Sequence, residues 1–224
     1  MSPKAIIVAV IVVLAGLFGL FLALTLGRGE FVYVPDEAVR ARERGEFTLE
    51  KRDRITDKTQ KAELLDQAIA EFKRAIEIKP DFGVAYNLLG KSYIDKGQLD
   101  TALQYLNKAL ELRKDYPAAL YNRGRVYQLM SHSKRDQTYL DKAIADFLIA
   151  LDSELAATFK GDIRKSLSDA YRDKGDLPKA IEQLARYLME SPKAEDAVLV
   201  ERKIRGLALI QQSKNPNSGI YVPN

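Results

Sequence analysis

The sequence predicts an all-α protein, a superhelical array of antiparallel helix hairpins preceded by one N-terminal transmembrane helix. Three observations predict it. One helical pattern is written four times along the chain, an uncharged apolar segment of 22 residues stands near the start, and Gly and Pro occur mainly as punctuation between runs of helix formers.

Residues 1–4 are a short tail, and residues 5–26, "AIIVAVIVVLAGLFGLFLALTL", carry no charge. As a helix they would span about 33 Å, enough to cross a bilayer. A secretory signal has a shorter apolar region, and Thr25 and Gly27 match its small-residue cleavage site poorly, so a retained single-pass anchor is favoured over a cleaved signal. Lys4 favours a cytoplasmic tail and an extracytoplasmic C-terminal domain, whereas Arg28, Arg40, Arg42 and Arg44 pull the other way and keep the cytoplasmic orientation open. Ala15, Gly19, Ala23 and Gly27 recur every fourth residue, a small-residue stripe that offers a route to a homodimer beside the reading of an ordinary anchor. Residues 27–48 read as a juxtamembrane linker that also has room for part of a first repeat.

Residues 49–194 hold about four repeats. "LDQAIAEFKRAI" from Leu65 recurs as "LDTALQYLNKAL" from Leu99, "LDKAIADFLIAL" from Leu140 and "LPKAIEQLARYL" from Leu177. Helical spacing in the first copy puts Leu65, Ala68, Ile69, Phe72, Ala75 and Ile76 on one face. The small residues Ala68, Ala102, Ala143 and Ala180 are each followed four positions on by a bulky one, Phe72, Leu106, Phe147 and Leu184. A second set of helices precedes the later copies, with Gly90, Gly124 and Ser168 at a small position and Tyr93, Tyr127 and Tyr171 three residues beyond. Gly97 and Gly175 stand where a first helix ends and a tight turn begins. Small positions let two antiparallel helices approach while the large residues fill the gaps, so the pattern is a stack of hairpins.

These motifs resemble the tetratricopeptide repeat (TPR) family. Residues 83–116 match its unit at Tyr86, Leu89, Gly90, Tyr93, Gly97, Ala102, Leu106 and Ala109, with Lys114 in place of the usual Pro. Residues 161–194 match at Leu167, Tyr171, Gly175, Ala180 and Pro192, with Ser168 for Gly and Tyr187 for Ala. Residues 117–160 match at Gly124, Tyr127, Ala143, Phe147 and Ala150 but carry seven extra residues around "SHSKRDQ". Those residues are expected to lengthen the hairpin by about one turn per helix and to present Lys134 and Arg135 at its tip. The first repeat is clear only in its second helix, and its first helix falls near either 36–46 or 49–61. Residues 195–212 read as a capping helix that stacks Ala197, Val200, Ile204 and Leu207 inward and turns Glu201, Arg202, Lys203 and Arg205 to water. Residues 213–224 read as a flexible tail.

Chemistry is mostly excluded by composition. The chain has no cysteine and one histidine, His132, which leaves no thiol nucleophile, no His-based dyad and no multi-His metal site; His132 reads as a solvated loop residue. No phosphate-binding loop or nucleophile elbow is present, so the chain reads as a non-enzyme that calls for no cofactor and no metal. Lys plus Arg number 35 against 31 Asp plus Glu, a mixed surface with no nucleic-acid footprint.

By the resemblance, the first helices line a concave groove for protein or peptide partners, and its lining would include Asn87, Lys91, Tyr121, Asn122, Arg125, Lys165, Asp169 and Arg172. The resemblance thus implies a membrane-anchored scaffold or adaptor, with a chaperone-like export factor or a self-assembling structural protein as alternatives. The family's carboxylate clamp for acidic C-terminal tails is incomplete here. Asn122 matches, but Asn87, Lys91, Asp162 and Ser166 replace the other members, and Asp162 brings a like charge, so no tight binding of an EEVD-type peptide is expected, and measurable micromolar binding would contradict this.

Overall fold

The computed structural model describes residues 35–214, which form nine α-helices, one 3-10 turn and, among the described residues, no strand. The apolar segment 5–26, its stripe of Ala15, Gly19, Ala23 and Gly27, and residues 215–224 lie outside the described residues. Among the described residues no helix is long and apolar enough to cross a membrane.

Helices α1 (Asp36–Asp53) and α2 (Lys58–Ile78) make the first hairpin, which settles the alternative left open at its first helix. Residues 36–48, assigned to the linker, are therefore part of a repeat. Ala38, Ala41, Gly45 and Leu49 form the buried face of α1, and Phe72 from α2 lies against Gly45. Asp57 caps α2 by accepting the Gln60 amide at 2.8 Å, so the hairpin turns on a satisfied helix start.

Helices α3 (Gly83–Asp95) and α4 (Leu99–Leu112) make the second hairpin, and α7 (Lys160–Lys174) and α8 (Leu177–Glu190) the fourth. Both turn through a left-handed glycine, Gly97 at φ 75° and Gly175 at φ 87°, and both close with the same long backbone bond, Gln98 N–H to the Tyr93 carbonyl at 2.9 Å and Asp176 N–H to that of Tyr171 at 2.8 Å.

The third hairpin, α5 (Pro117–Lys134) and α6 (Thr138–Asp152), absorbs its seven extra residues unevenly. Helix α5 is five residues longer than α3, whereas α6 begins only two residues ahead of Leu140. The asymmetry has a packing reason, because the added turn of α5 buries Met130 and Ser131. His132 consequently sits on a helix and not in a loop, with Nε2 3.1 Å from Asp173 Oδ2. The turn itself uses Arg135 at φ 53°, and Lys134 at the tip reaches Asp100 of α4 at 3.2 Å.

One large residue per second helix fills each hairpin. Phe72, Leu106, Phe147 and Leu184 are all fully buried. An added Cβ at Gly90 would stand 2.5 Å from Leu106 Cγ and one at Gly124 2.5 Å from Phe147 Cε1, so these positions admit no side chain. The fourth repeat solves the problem differently. Tyr187 occupies a position that is alanine in the other three, and Gly161 makes room for its ring, since a Cβ there would come within 2.7 Å of Tyr187 Cε2. Ser168 replaces the usual glycine and its hydroxyl is buried with no hydrogen-bond partner. Ser168→Ala is therefore expected to stabilise the fold by about 1 kcal/mol, read as a rise of roughly 2–4 °C in Tm.

Helix α9 (Ala197–Lys214) closes the array on α8, with Val200, Leu207 and Ala208 buried and Ile204 and Ala197 half-buried. Lys203, assigned to water, is partly buried and ion-paired, because the helix is rotated far enough to bring it against α7.

Candidate partner-binding groove

The first helices of the hairpins stand side by side, each joined to the next by side chains. Arg52 on α1 reaches Asp95 on α3 at 2.8 Å, Asn122 on α5 donates to Asn87 on α3 at 3.0 Å, and Ser166 on α7 donates to the Tyr121 hydroxyl on α5 at 3.3 Å. Lys203 on α9 then reaches Asp169 on α7 at 2.7 Å. All eight residues singled out from the sequence lie on the three central first helices: Asn87 and Lys91 on α3, Tyr121, Asn122 and Arg125 on α5, and Lys165, Asp169 and Arg172 on α7.

Their chemistry divides along the array. On α7 the charges are matched internally. Lys165 holds Asp162 at 3.2 Å and Asp196 at 3.0 Å, and Asp169 is shared by Arg172 at 2.8 Å and Lys203. Burial lowers the Lys165 pKa, but the hydrogen bonds to Asp196 and Asp162 outweigh it and hold the ammonium above its ordinary value. Asp196 lies below the usual carboxylate range, first through the Tyr187 hydroxyl and then through Lys165. Asp162, expected to stand unpaired, is thus neutralised by its own helix, one turn from Lys165. An open cleft of about 420 Å³ beside this cluster is lined by Phe159, Gly161, Asp162, Lys165, Tyr187 and Glu190 among others.

On α3 and α5 the balance differs. Asn87 and Asn122 are buried and spend one hydrogen bond on each other, which leaves further donor and acceptor capacity on both amides. Lys91 and Arg125 each lie one turn beyond these asparagines, on the two bridged helices. Neither has a carboxylate within 4.0 Å among the described residues, in contrast to Arg42 and Arg52 of α1 and Lys165 and Arg172 of α7. Arg125 instead lies over the Tyr121 ring, 5.9 Å from its centroid, and that ring is wedged between Phe147 and Phe159 at 5.9 and 6.0 Å. The arrangement can receive a carboxylate or an extended backbone: two cations, a rigid aromatic plane and two amides. No group of three or more His, Cys, Asp or Glu that could hold a metal occurs among the described residues.

Sequence reasoning missed Asp173, Asp196 and Lys203 as members of this face. Helix spacing could have flagged Asp173, which lies one turn from Asp169 on α7. Asp196 and Lys203 join only through the way α9 and its approach meet α7.

Comparison with known proteins bears on the fold. A TPR repeat model matches residues 90–131 and a tetratricopeptide repeat model residues 71–104. Among solved structures, pilF of Pseudomonas aeruginosa is 18% identical with a TM-score of 0.61, covering 80% of this chain and 72% of its own. MamA from Desulfovibrio magneticus RS-1 is 16% identical with a TM-score of 0.58, covering 82% of this chain and 90% of its own. This chain carries a TPR-like helical repeat fold. A thermophilic TPR protein of Thermus thermophilus is similar at 22% identity and a TM-score of 0.55, covering 77% of this chain and 99% of its own. No curated protein matches the chain. TPR-like arrays generally act as protein-interaction scaffolds and are generally non-catalytic modules, which is the level at which the likeness speaks to function.

Proposed function

We propose that this protein is a membrane-anchored, non-catalytic scaffold that holds a partner protein on the face formed by α3, α5 and α7, and that the partner offers an extended segment with a carboxylate. One observation carries the reading: Lys91 and Arg125, each one turn beyond an asparagine of the Asn87–Asn122 bridge, have no carboxylate within 4.0 Å among the described residues, whereas Lys165, Arg172 and Lys203 on the same side are paired. The anchor is residues 5–26, and the array is placed on the extracytoplasmic side. Reporters active on only one side of the membrane, fused at Asn224, test that placement; activity only in the cytoplasm would reverse it.

The groove is tested by photo-cross-linking in cells. A photoreactive side chain at Ser166, which borders Tyr121, is expected to capture a discrete partner, whereas one at Lys108 on the outer side of α4 is not. Lys91→Glu combined with Arg125→Glu is expected to cut the capture at least tenfold by replacing two attractive contacts with repulsive ones. Equal capture from both positions, or no effect of the double variant, would sink the proposal.

A further inference from the structure

Two outward surfaces of this array are apolar, and their charges are opposite. The first lies at the end of α6. In the shared frame of the four second helices, the two residues after Phe72 are Lys73 and Arg74, those after Leu106 are Asn107 and Lys108, and those after Leu184 are Ala185 and Arg186. On α6 the same two positions, after Phe147, hold Leu148 and Ile149, both exposed, Ile149 at 58%. Packing within the array does not call for them, since the other repeats place polar or small side chains there. Asp152 follows Leu148 by one turn, and the 3-10 turn Glu154–Ala156 adds Glu154 and Leu155, the latter 56% exposed. Ser153 donates to Asp115 at 3.3 Å, which brings a third carboxylate to the same edge. Asp115, Asp152 and Glu154 have no cation within 4.0 Å among the described residues.

The second surface is on α9. Val198 and Leu199 are 66% and 62% exposed, Leu209 and Ile210 are exposed as well, and helical spacing sets Arg202 among them and Arg205 at the margin. Neither arginine has a carboxylate within 4.0 Å among the described residues. The opposite side of α9, with Val200, Leu207 and Ala208, is the buried one.

We infer that these two surfaces meet between copies of this chain, the acidic end of α6 in one copy against the basic face of α9 in the next. Each offers what the other lacks, carboxylates against guanidiniums around exposed aliphatic side chains of similar size. Within one chain they do not meet, because α6 is held between α5 and α7 and α9 packs on α8. Pairing either surface with its own copy would set Arg202 and Arg205, or Asp152 and Glu154, against like charges, so the contact is head-to-tail and propagates into rings or chains instead of stopping at a symmetric dimer. Surfaces of two or three helical turns are small beside the roughly 1,200–2,000 Å² of stable complexes, so the contact is weak and reversible. It uses neither Lys91 nor Arg125.

The absence of cysteine makes single-thiol variants of the full-length chain direct probes. Ile149→Cys and Leu209→Cys, carrying different affinity tags and mixed in detergent under mild oxidation, are expected to give a covalent dimer with both tags at least tenfold faster than either variant dimerises alone. Asp152→Lys with Glu154→Lys in the Ile149→Cys chain is expected to slow that reaction about tenfold. Arg202→Glu with Arg205→Glu in the Leu209→Cys chain is then expected to restore it, which a misfolded variant would not allow. Lys91→Glu with Arg125→Glu, the variant that tests the groove, is expected to leave the rate unchanged. No excess of the mixed dimer, equally fast dimerisation of Leu209→Cys alone, or a rate indifferent to the charge reversals would overturn the inference. So would loss of the mixed dimer in the Lys91→Glu, Arg125→Glu chain, which would assign self-contact to the groove.

Discussion

Phe147→Ala is expected to lower the free energy of unfolding by about 4 kcal/mol, the largest single-residue loss in the array. The ring is fully buried at the centre of the third hairpin, lies on Gly124 where no Cβ fits, and packs against the Tyr121 ring of the proposed groove at 5.9 Å. Truncation leaves a cavity that α5 and α6 close only in part, since each is also held by a neighbouring hairpin. In a repeat array each unit depends on its neighbours, so the loss should appear in urea unfolding as an early transition of the central hairpin, and in a thermal scan as a drop of roughly 8–16 °C. The swap Gly124→Leu with Phe147→Ala is expected to recover part of the loss, whereas Gly124→Leu alone destabilises, because the two residues share one volume. If Phe147→Ala melts within about 2 °C of the parent, the glycine hole is not what holds the hairpin together.

Arg123→Met is expected to cost about 3 kcal/mol, because it strands a buried charge. Arg123 on α5 grips Asp146 on α6 with two bonds of 2.7 and 2.8 Å and reaches Asn107 on α4 at 3.0 Å, so one guanidinium ties a first helix to the second helices on either side of it. Asp146 is 4% exposed, and both of its carboxylate oxygens accept from Arg123. The hydrogen bond to Asp146 also holds the Arg123 pKa above its ordinary value. Most of the cost is the unpaired carboxylate and not the lost attraction, so Arg123→Met with Asp146→Leu is expected to return most of it. Chemical denaturation of the three variants measures this as a double-mutant cycle. A double variant as unstable as Arg123→Met would mean that the pair contributes specific bonding beyond charge neutralisation. The same device recurs at α7, where Arg164 holds Glu190 at 2.7 and 2.5 Å and Gln183 at 3.1 Å, and keeps the Glu190 carboxyl below its usual range.

How much of this is readable in the sequence differs from residue to residue. The second helices were legible because Leu, Ala and a bulky residue recur in one frame, and their buried faces follow from helical spacing alone. The first helix of the first repeat was ambiguous because its buried face is mostly small, Ala38, Ala41 and Gly45, and small residues leave a weak apolar signal. The substitution of Tyr187 for alanine looked like a departure from the pattern until Gly161, 26 residues earlier, was found beneath its ring. His132 looked like a loop residue because the seven-residue excess carries polar side chains, whereas the buried Met130 and Ser131 beside it continue the helix.

Local spacing, acting over three or four residues, was enough to specify an array of hairpins and the large and small positions that mate within each. Composition also sufficed to remove cysteine and multi-histidine chemistry, since the chain has no cysteine and one histidine. Tertiary structure decided which charges on the first helices are spent. The partners of Lys165 and Asp169 include Asp196 and Lys203, 31 and 34 residues away along the chain, and Coulomb interactions depend on distance in space and not along the chain. Among the described residues, that packing leaves Lys91 and Arg125 without a carboxylate partner.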